Sequence, residues 1–433
     1  MNPSLPGYAD KTHNQRTKNM KKNLFALLPI YLAASLPCVA QQHLVGGDIS
    51  LLPRYEQYNT PYYDQQGQKI DDVLLYMRDV CKMNAMRVRL FVDPKASEAK
   101  DGVVQDLEYV KALGRRIKEA GLKLMLDFHY SDTWADPTHQ KLPAAWSDCT
   151  TASEKAERLY TYTTDCLNTL KAEGATPDYV QVGNEISYGM VDIKVHPYDQ
   201  AGDDWAGFIE VLTSGCQAVR ECCPEAKIII HTERAAKASD TEYFYQKLTD
   251  LDYDIIGLSY YPIWHAPLTT LSGTLDRLAS SFPTKQVQIV ETAYNYMYWP
   301  NSGVNYDTRN LWPCSIEGQQ QFTQDLITEL QRHPNVTGLY WWFPEENGNG
   351  GPTWNASTIV INTWLNRGLW NNNDHRALPA LYELQNFRTE DEALSSPQFQ
   401  SAMPCYNLFG QRVDKGQSQG IVIEGNKKRL NNK

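Results

Sequence analysis

The chain has 433 residues, a formal charge of −10 and 42% apolar content. That length supports one large domain or two ordinary ones, with enough apolar material for a substantial core. The acidic balance, with no basic stripe along the middle of the chain, argues against a nucleic-acid partner. Eleven Trp and 26 Tyr form a heavy aromatic load, which suits both core packing and the flat faces of sugars.

The first segment reads as an address. "MKKNLFALLPIYLAASLPCVAQQ" places Lys21 and Lys22 before an apolar stretch from Leu24 to Leu36, with Ala40 ahead of Gln41. This is the layout of a cleaved secretory signal over residues 1–40, with Met20 the expected initiator. The stretch is too short to span a bilayer, and Pro29 interrupts it. Pro37 immediately before Cys38 fits a lipid-attachment signal poorly. The expectation is export, to the periplasm, the cell surface or the medium, as a monomer with no membrane-spanning segment. Eight cysteines remain beyond Cys38. None stands in a CxxC spacing, so a zinc or redox motif is not indicated, and pairing is not legible.

Residues 41–394 read as one domain. Between about 44 and 344, short apolar runs alternate with helical patterns: "HLVGGDIS", "AMRVRLFV", "LKLMLDFHY", "YVQVGNE", "KIIIHTE", "DIIGLSYYP", "VQIVETAY" and "VTGLYWWFP". In the helical stretch "DLEYVKALGRRIKEAG", Leu107, Val110, Leu113 and Ile117 fall on one face and Gly121 stops it. Phe322, Leu326 and Leu330 do the same before Pro334. Eight strand–helix units in this length predict a (β/α)8 TIM barrel. No GxGxxG turn follows the first strand, which weakens a dinucleotide-binding sheet.

Where the runs give out, polar residues follow: Asp48, Asp93, Asp127 with His129, Asn184 with Glu185, His231 with Glu233, Tyr260 with Tyr261, and Glu291. In a barrel these ends share one face, the usual place for catalysis. Glu185 and Glu291 follow the fourth and seventh runs, which oppose each other across the mouth. Two such carboxylates about 5–5.5 Å apart would suit a retaining glycosidase, one as nucleophile and one as acid/base. The alternative is a pair of solvated or salt-bridged strand ends. Arg87 and Arg89 alternate onto one face of the second run; either could hold a carboxylate ionised or form an inward pair with Asp93 or Asp127. His129 and His231 could position a substrate. Metal ligation is less supported, since no HExxH motif is present.

The segments "GGDIS", "MRVRLFVDP", "LDFHYSDTWADP", "VQVGNEISYGM", "IGLSYYPIWH" and "ETAY", in that order, resemble glycoside hydrolase family 53, the arabinogalactan endo-β-1,4-galactanases. The likeness runs from about residue 46 to 294 and more weakly to 344. It implies a (β/α)8 enzyme that cleaves internal β-1,4-galactan bonds with retention. It also implies Glu185 as acid/base, Glu291 as nucleophile and Asn184 as the preceding asparagine. Arg89, His129, Trp134, His231, Tyr260 and Trp264 would line the cleft, with Trp134 the choice for sugar stacking. Two departures stand out. Phe343 replaces a glutamate in the "YWEPAW" of many members, and the loop after "ETAY" has Asp307 as its one carboxylate. Calcium, held there by some members, is therefore not carried over, and no cofactor is expected. Rival readings are another retaining barrel glycosidase, a glycan-binding protein that does not hydrolyse, and a metal-dependent barrel hydrolase.

Residues 395–433 look separate. "YNLFGQRV" and "GIVIEGNKK" read as two short strands with a turn, a short β-rich tail resembling those of exported Bacteroidetes proteins. It is too short to bury the core of a carbohydrate-binding module.

Overall fold

The structure is a computed structural model that describes residues 43–300, 303–348 and 365–388, together with the backbone of short strands between 405 and 431. The expected signal segment lies outside the described residues. Eight parallel strands close into a barrel: β1 (Leu44–Asp48), β2 (Ala85–Leu90), β3 (Lys123–Phe128), β4 (Tyr179–Val182), β5 (Lys227–Thr232), β6 (Ile255–Tyr260), β7 (Gln286–Thr292) and β8 (Val336–Trp342). Neighbours pair in chain order, and β1 closes on β8 from Leu44↔Gly338 to Asp48↔Trp342. This is the (β/α)8 architecture that the alternating runs predict.

A helix follows each strand: α1 (Val73–Asp79), α2 (Leu107–Glu119), α3 (Ala152–Ala172), α4 (Trp205–Cys222), α5 (Ala238–Lys247), α6 (Leu268–Ser281), α7 (Ile316–Leu330) and the short α8 (Pro379–Glu383). Their starts are chemically marked. Asp72, Asp106, Asp204 and Ser315 each accept a backbone N–H of the first turn, and Thr151 forms a reciprocal capping box with Glu154. In α2, Val110, Leu113 and Ile117 are buried, and in α7, Phe322, Leu326 and Leu330. These stripes pack on the outward side chains of the strands.

The inward side chains change character with height. Leu44, Ala85, Met125, Ile229, Ile255, Val290 and Tyr340 form an apolar plug inside the barrel base. Above it come Asp48, Arg87, Arg89, Asp127, Gln181, His231 and Ser259, all fully buried. The period-2 alternation of each strand therefore carries a hydrophobic floor into a charged mouth.

β7 breaks that alternation near its upper end. Leu258 pairs with Ile289, but Ser259 pairs with Glu291, so Val290 is skipped. This is a β-bulge. Val290 joins the inner plug, and Glu291, the next residue, also turns inward to reach Arg87. Regular alternation would have pointed it out of the barrel.

In the tail, Cys405–Asn407 pairs antiparallel with Arg412–Val413 and with Gly420–Glu424, which pairs with Lys427–Asn431. Four strands thus stand where two were expected. The seven cysteines among the described residues are free thiols, six of them buried.

Closure leaves no room at β1. A Cβ on Gly46 would lie 1.7 Å from the carbonyl oxygen of Ala85, a backbone clash that no rotamer relieves. Gly46→Ala should destabilise the barrel by about 3 kcal/mol or more. A lowered urea unfolding midpoint checks this, and an unchanged midpoint would contradict the packing at this seam.

Candidate active site

β4 ends at Val182, and the chain then turns sharply. Gly183 has φ +86° and Glu185 sits at φ 48°, in the left-handed region that a glutamate enters at some cost. The turn holds the Glu185 carboxyl in the mouth, where its Oε1 accepts the Ser259 hydroxyl at 2.6 Å. The same hydroxyl oxygen lies 3.4 Å from Oε2 of Glu291. One oxygen touching both keeps these carboxylate oxygens within about 6 Å, which fits the short spacing class of about 5–5.5 Å.

The two carboxyls have different neighbours. Glu291 Oε1 pairs with Arg87 Nη2 at 2.9 Å, and its Oε2 accepts the Tyr261 hydroxyl at 2.9 Å. Among the described residues no cation pairs with Glu185. Burial raises the pKa of both. For Glu185 the charges of Glu291 and Glu233 add to that rise, so its pKa stands well above the ordinary carboxyl range. For Glu291, Arg87 and the Tyr261 hydrogen bond oppose it. The proton of the pair therefore belongs on Glu185.

Arg87 organises the floor. Its Nη1 donates to Asp48 at 2.7 Å, and its Nη2 contacts Asp127 and Asn184, each at 2.8 Å. Burial would push the Asp127 carboxyl up, but Arg87 overrides it and holds Asp127 below its usual value. Arg89 donates to Asp48 at 2.7 Å and lies over the rings of Trp134 and Trp342, 4.7 and 5.4 Å from their centroids.

His231 is kept neutral by burial and by the Arg87 charge. Its Nδ1 faces two donors, Gln181 Nε2 at 3.0 Å and the Glu185 backbone N–H at 3.4 Å, and one acceptor, Asn184 Oδ1 at 3.1 Å, which already accepts from Arg87 and Gln181. That assigns the ring proton to Nε2, which donates to Ser259 at 2.9 Å. Ser259 passes its own proton toward Glu185. The relay orients one oxygen of Glu185 and leaves the other to carry the acid proton.

Of the residues singled out from sequence, Glu185, Glu291, Asn184, Arg89, His129 and His231 converge in the mouth. His129 Nε2 lies 3.1 Å from Asp127, and its Nδ1 accepts the Ala135 N–H. Trp134 is half-buried, with its indole N–H on the Asp101 carbonyl. Trp264 is half-buried against Tyr261, with Arg367 5.0 Å over its ring. Tyr260 is a correction. Because Ser259 points inward, alternation turns Tyr260 outward, where it stacks on Phe322 of α7 and bonds the Ala266 carbonyl. Tyr261, one residue later, reaches Glu291 instead. Asp93 pairs with Lys95 at the surface, away from both arginines. Ser259, Tyr261, Gln181 and Arg87 were missed or underweighted. The inward parity of each run, counted from its apolar base, is the signal that would have found the first and the last.

Among the described residues no group of three His, Cys, Asp or Glu is placed to hold a metal ion. The arrangement can stabilise one carboxylate beside a carboxylic acid, which is acid/base chemistry with a nucleophile.

The raised pKa of Glu185 has a thermodynamic sign. From pH 4.5 upward the native state binds a proton that the unfolded chain has released, so this group's contribution to stability falls as pH rises toward its native pKa. Glu185→Gln removes that loss. The variant's gain in Tm over the wild type should be larger at pH 8 than at pH 4. Equal gains would mean that Glu185 is not held protonated.

The family profile of glycosyl hydrolase family 53 matches residues 44–384. An arabinogalactan endo-β-1,4-galactanase of Cellvibrio japonicus is 32% identical over 372 residues, covering 82% of this chain and 92% of that protein. An uncharacterised protein of Niallia circulans is 37% identical over 317 residues, covering 70% and 83%. Among solved structures, the family 53 catalytic domain of Ignisphaera aggregans superposes with a TM-score of 0.69 at 29% identity, over 80% of this chain and 97% of that one. A fungal β-1,4-galactanase gives 0.66 at 27%, over 79% and 98%. With a profile match across the whole barrel and a one-third-identical relative covered nearly end to end, this chain belongs to glycosyl hydrolase family 53 and is a glycoside hydrolase.

Proposed function

We propose that the protein is a retaining endo-β-1,4-galactanase that hydrolyses internal bonds of the galactan chains of plant arabinogalactan. The observation that carries this reading is the single Ser259 hydroxyl within reach of both Glu185 and Glu291, because an inverting enzyme needs room for a water between carboxyls about 6.5–9.5 Å apart. Support for the substrate comes from the galactanase relatives.

Glu291 attacks the anomeric carbon while Arg87 and Tyr261 keep it ionised. Glu185 protonates the departing glycosidic oxygen, the bond to Glu291 forms, and the C–O bond breaks. As Glu291 is consumed into an ester its negative charge disappears, which lowers the pKa of Glu185. That residue then takes a proton from water, and the resulting hydroxide displaces the ester. Asn184 spends its oxygen on Arg87 and one N–H on the Ala135 carbonyl, leaving a second N–H for a sugar hydroxyl. The N-terminal signal pattern supports export and action outside the cytoplasm.

Product analysis on linear β-1,4-galactan, with β-mannan and β-glucan as controls, tests the substrate. Short galacto-oligosaccharides released from galactan with the β-anomer formed first are expected. Cleavage of another glycan, or initial α-anomer, would overturn the reading. Glu291→Gln and Glu185→Gln should each lower kcat on galactan by about 10³-fold or more while the fold persists by circular dichroism.

A further inference from the structure

Glu185 stands in the left-handed region at φ 48°, and the chain runs on at once into the single turn Ile186–Tyr188. A glutamate has no preference for that region, so its surroundings hold it there. The hold matters for aim, because relaxation to a negative φ would swing the Cα–Cβ bond and carry the carboxyl away from Ser259. Two side chains from the flanking loops grip this turn through groups other than the carboxyl.

The first is Gln140, on the loop after β3. Its Nε2 donates to the Asn184 carbonyl at 2.8 Å and to the Glu185 carbonyl at 3.3 Å. These carbonyls belong to the two peptide planes that meet at the Glu185 Cα. The angle between the planes is set by φ and ψ of Glu185. One amide bonded to both therefore fixes the conformation of the residue between them. The Asp136 carbonyl accepts from the same nitrogen at 3.0 Å and ties the amide to its own loop. Three carbonyl acceptors around one nitrogen identify it as the NH2 end of the side chain.

The second is Glu233, buried just beyond the end of β5. Both its oxygens lie within reach of the Ser187 hydroxyl, at 2.8 and 2.6 Å. Ser187 is fully buried in the same turn, two residues after Glu185. Arg234 completes the grip. Its Nη1 lies 3.4 Å from Glu233, and its Nη2 donates to Asp240 of α5 at 2.9 Å and to the Tyr188 hydroxyl at 3.1 Å. The far end of the turn is thereby fastened to β5 and α5. Neither Gln140 nor Glu233 has a part in the bond-making steps described above.

We propose that Gln140 and Glu233 are positioning residues for the acid, a clamp that closes on the Glu185 turn from the β3 and β5 sides and keeps its carboxyl on the leaving oxygen. The assignment rests on the galactanase reading above, in which Glu185 is that acid.

Two substrates separate a displaced acid from a damaged barrel. β-1,4-Galactotetraose loses a sugar oxygen that must be protonated as it departs, whereas 2,4-dinitrophenyl β-1,4-galactobioside loses a phenolate that departs without a proton. On each, kcat/KM reports the steps up to ester formation, so the later work of Glu185 as a base does not enter. For Gln140→Met, which keeps the length and loses the donor, and for Glu233→Ala, the ratio of kcat/KM on the tetraose to that on the aryl glycoside should fall about tenfold or more, part of the factor of about 10²–10⁴ that a placed acid supplies. Glu233→Gln still offers Ser187 a partner and should restore most of the ratio. A ratio within about twofold of the wild type in either of the first two variants would overturn the clamp while leaving the galactanase reading intact. Glu233→Gln as impaired as Glu233→Ala would mean that the carboxylate acts by its charge, and would overturn its positioning role. Wild-type enzyme inactive on both substrates would overturn the galactanase reading and the clamp with it.

Discussion

The Arg87 guanidinium is the group on which the mouth of this barrel depends. It is fully buried and meets Asp48, Asp127 and Glu291 as ion partners, together with the Asn184 amide oxygen. Each of these acceptors comes from a different strand or strand end, so one cation ties β1, β3, β4 and β7 to β2. Three carboxylates would not share a dry space without it. Breaking a buried network by removing one member leaves the others uncompensated, at a cost of about 3–5 kcal/mol. Arg89 on Asp48 adds a second positive charge, while His231, held neutral by burial, adds none.

That charge placement also decides chemical roles. Both glutamates are buried, and burial alone would protonate both. The difference is that Arg87 and the Tyr261 hydroxyl face Glu291, whereas Glu185 faces the carboxyls of Glu291 and Glu233. Two identical side chains become an acid and a carboxylate through their surroundings. Ser259 does a second job, since its donor is fixed by His231 and its proton points to Glu185. The orientation of the acid thus traces back to which nitrogen of a neutral imidazole carries hydrogen.

Much of this was legible in the residues. Apolar runs of period two, separated by stripes of period three to four, predicted the eight units, and the strand ends marked the mouth. Glu185 and Glu291 stood out because carboxylates at such ends have no core partner to satisfy. What was not legible depended on parity. Tyr260 and Tyr261 are adjacent, chemically alike, and both end an apolar run; only the inward position of Ser259 decides which of them faces Glu291. The bulge at Val290 was invisible, because nothing in "VQIVETAY" announces an extra residue in the register. The tail showed the opposite limit: strand-like composition was readable, but the number of strands was not.

The bulge gives the strand an unusual kind of dependence on count. Glu291 faces the mouth because one residue too many lies between the plug and the rim. The aim of the side chain is therefore set by arithmetic as much as by chemistry. The same residues paired without the skip at Val290 would pleat regularly and turn the glutamate toward the helix layer. Comparison by residue likeness would score the two as one protein. The regular strand would leave one carboxyl in the mouth in place of two.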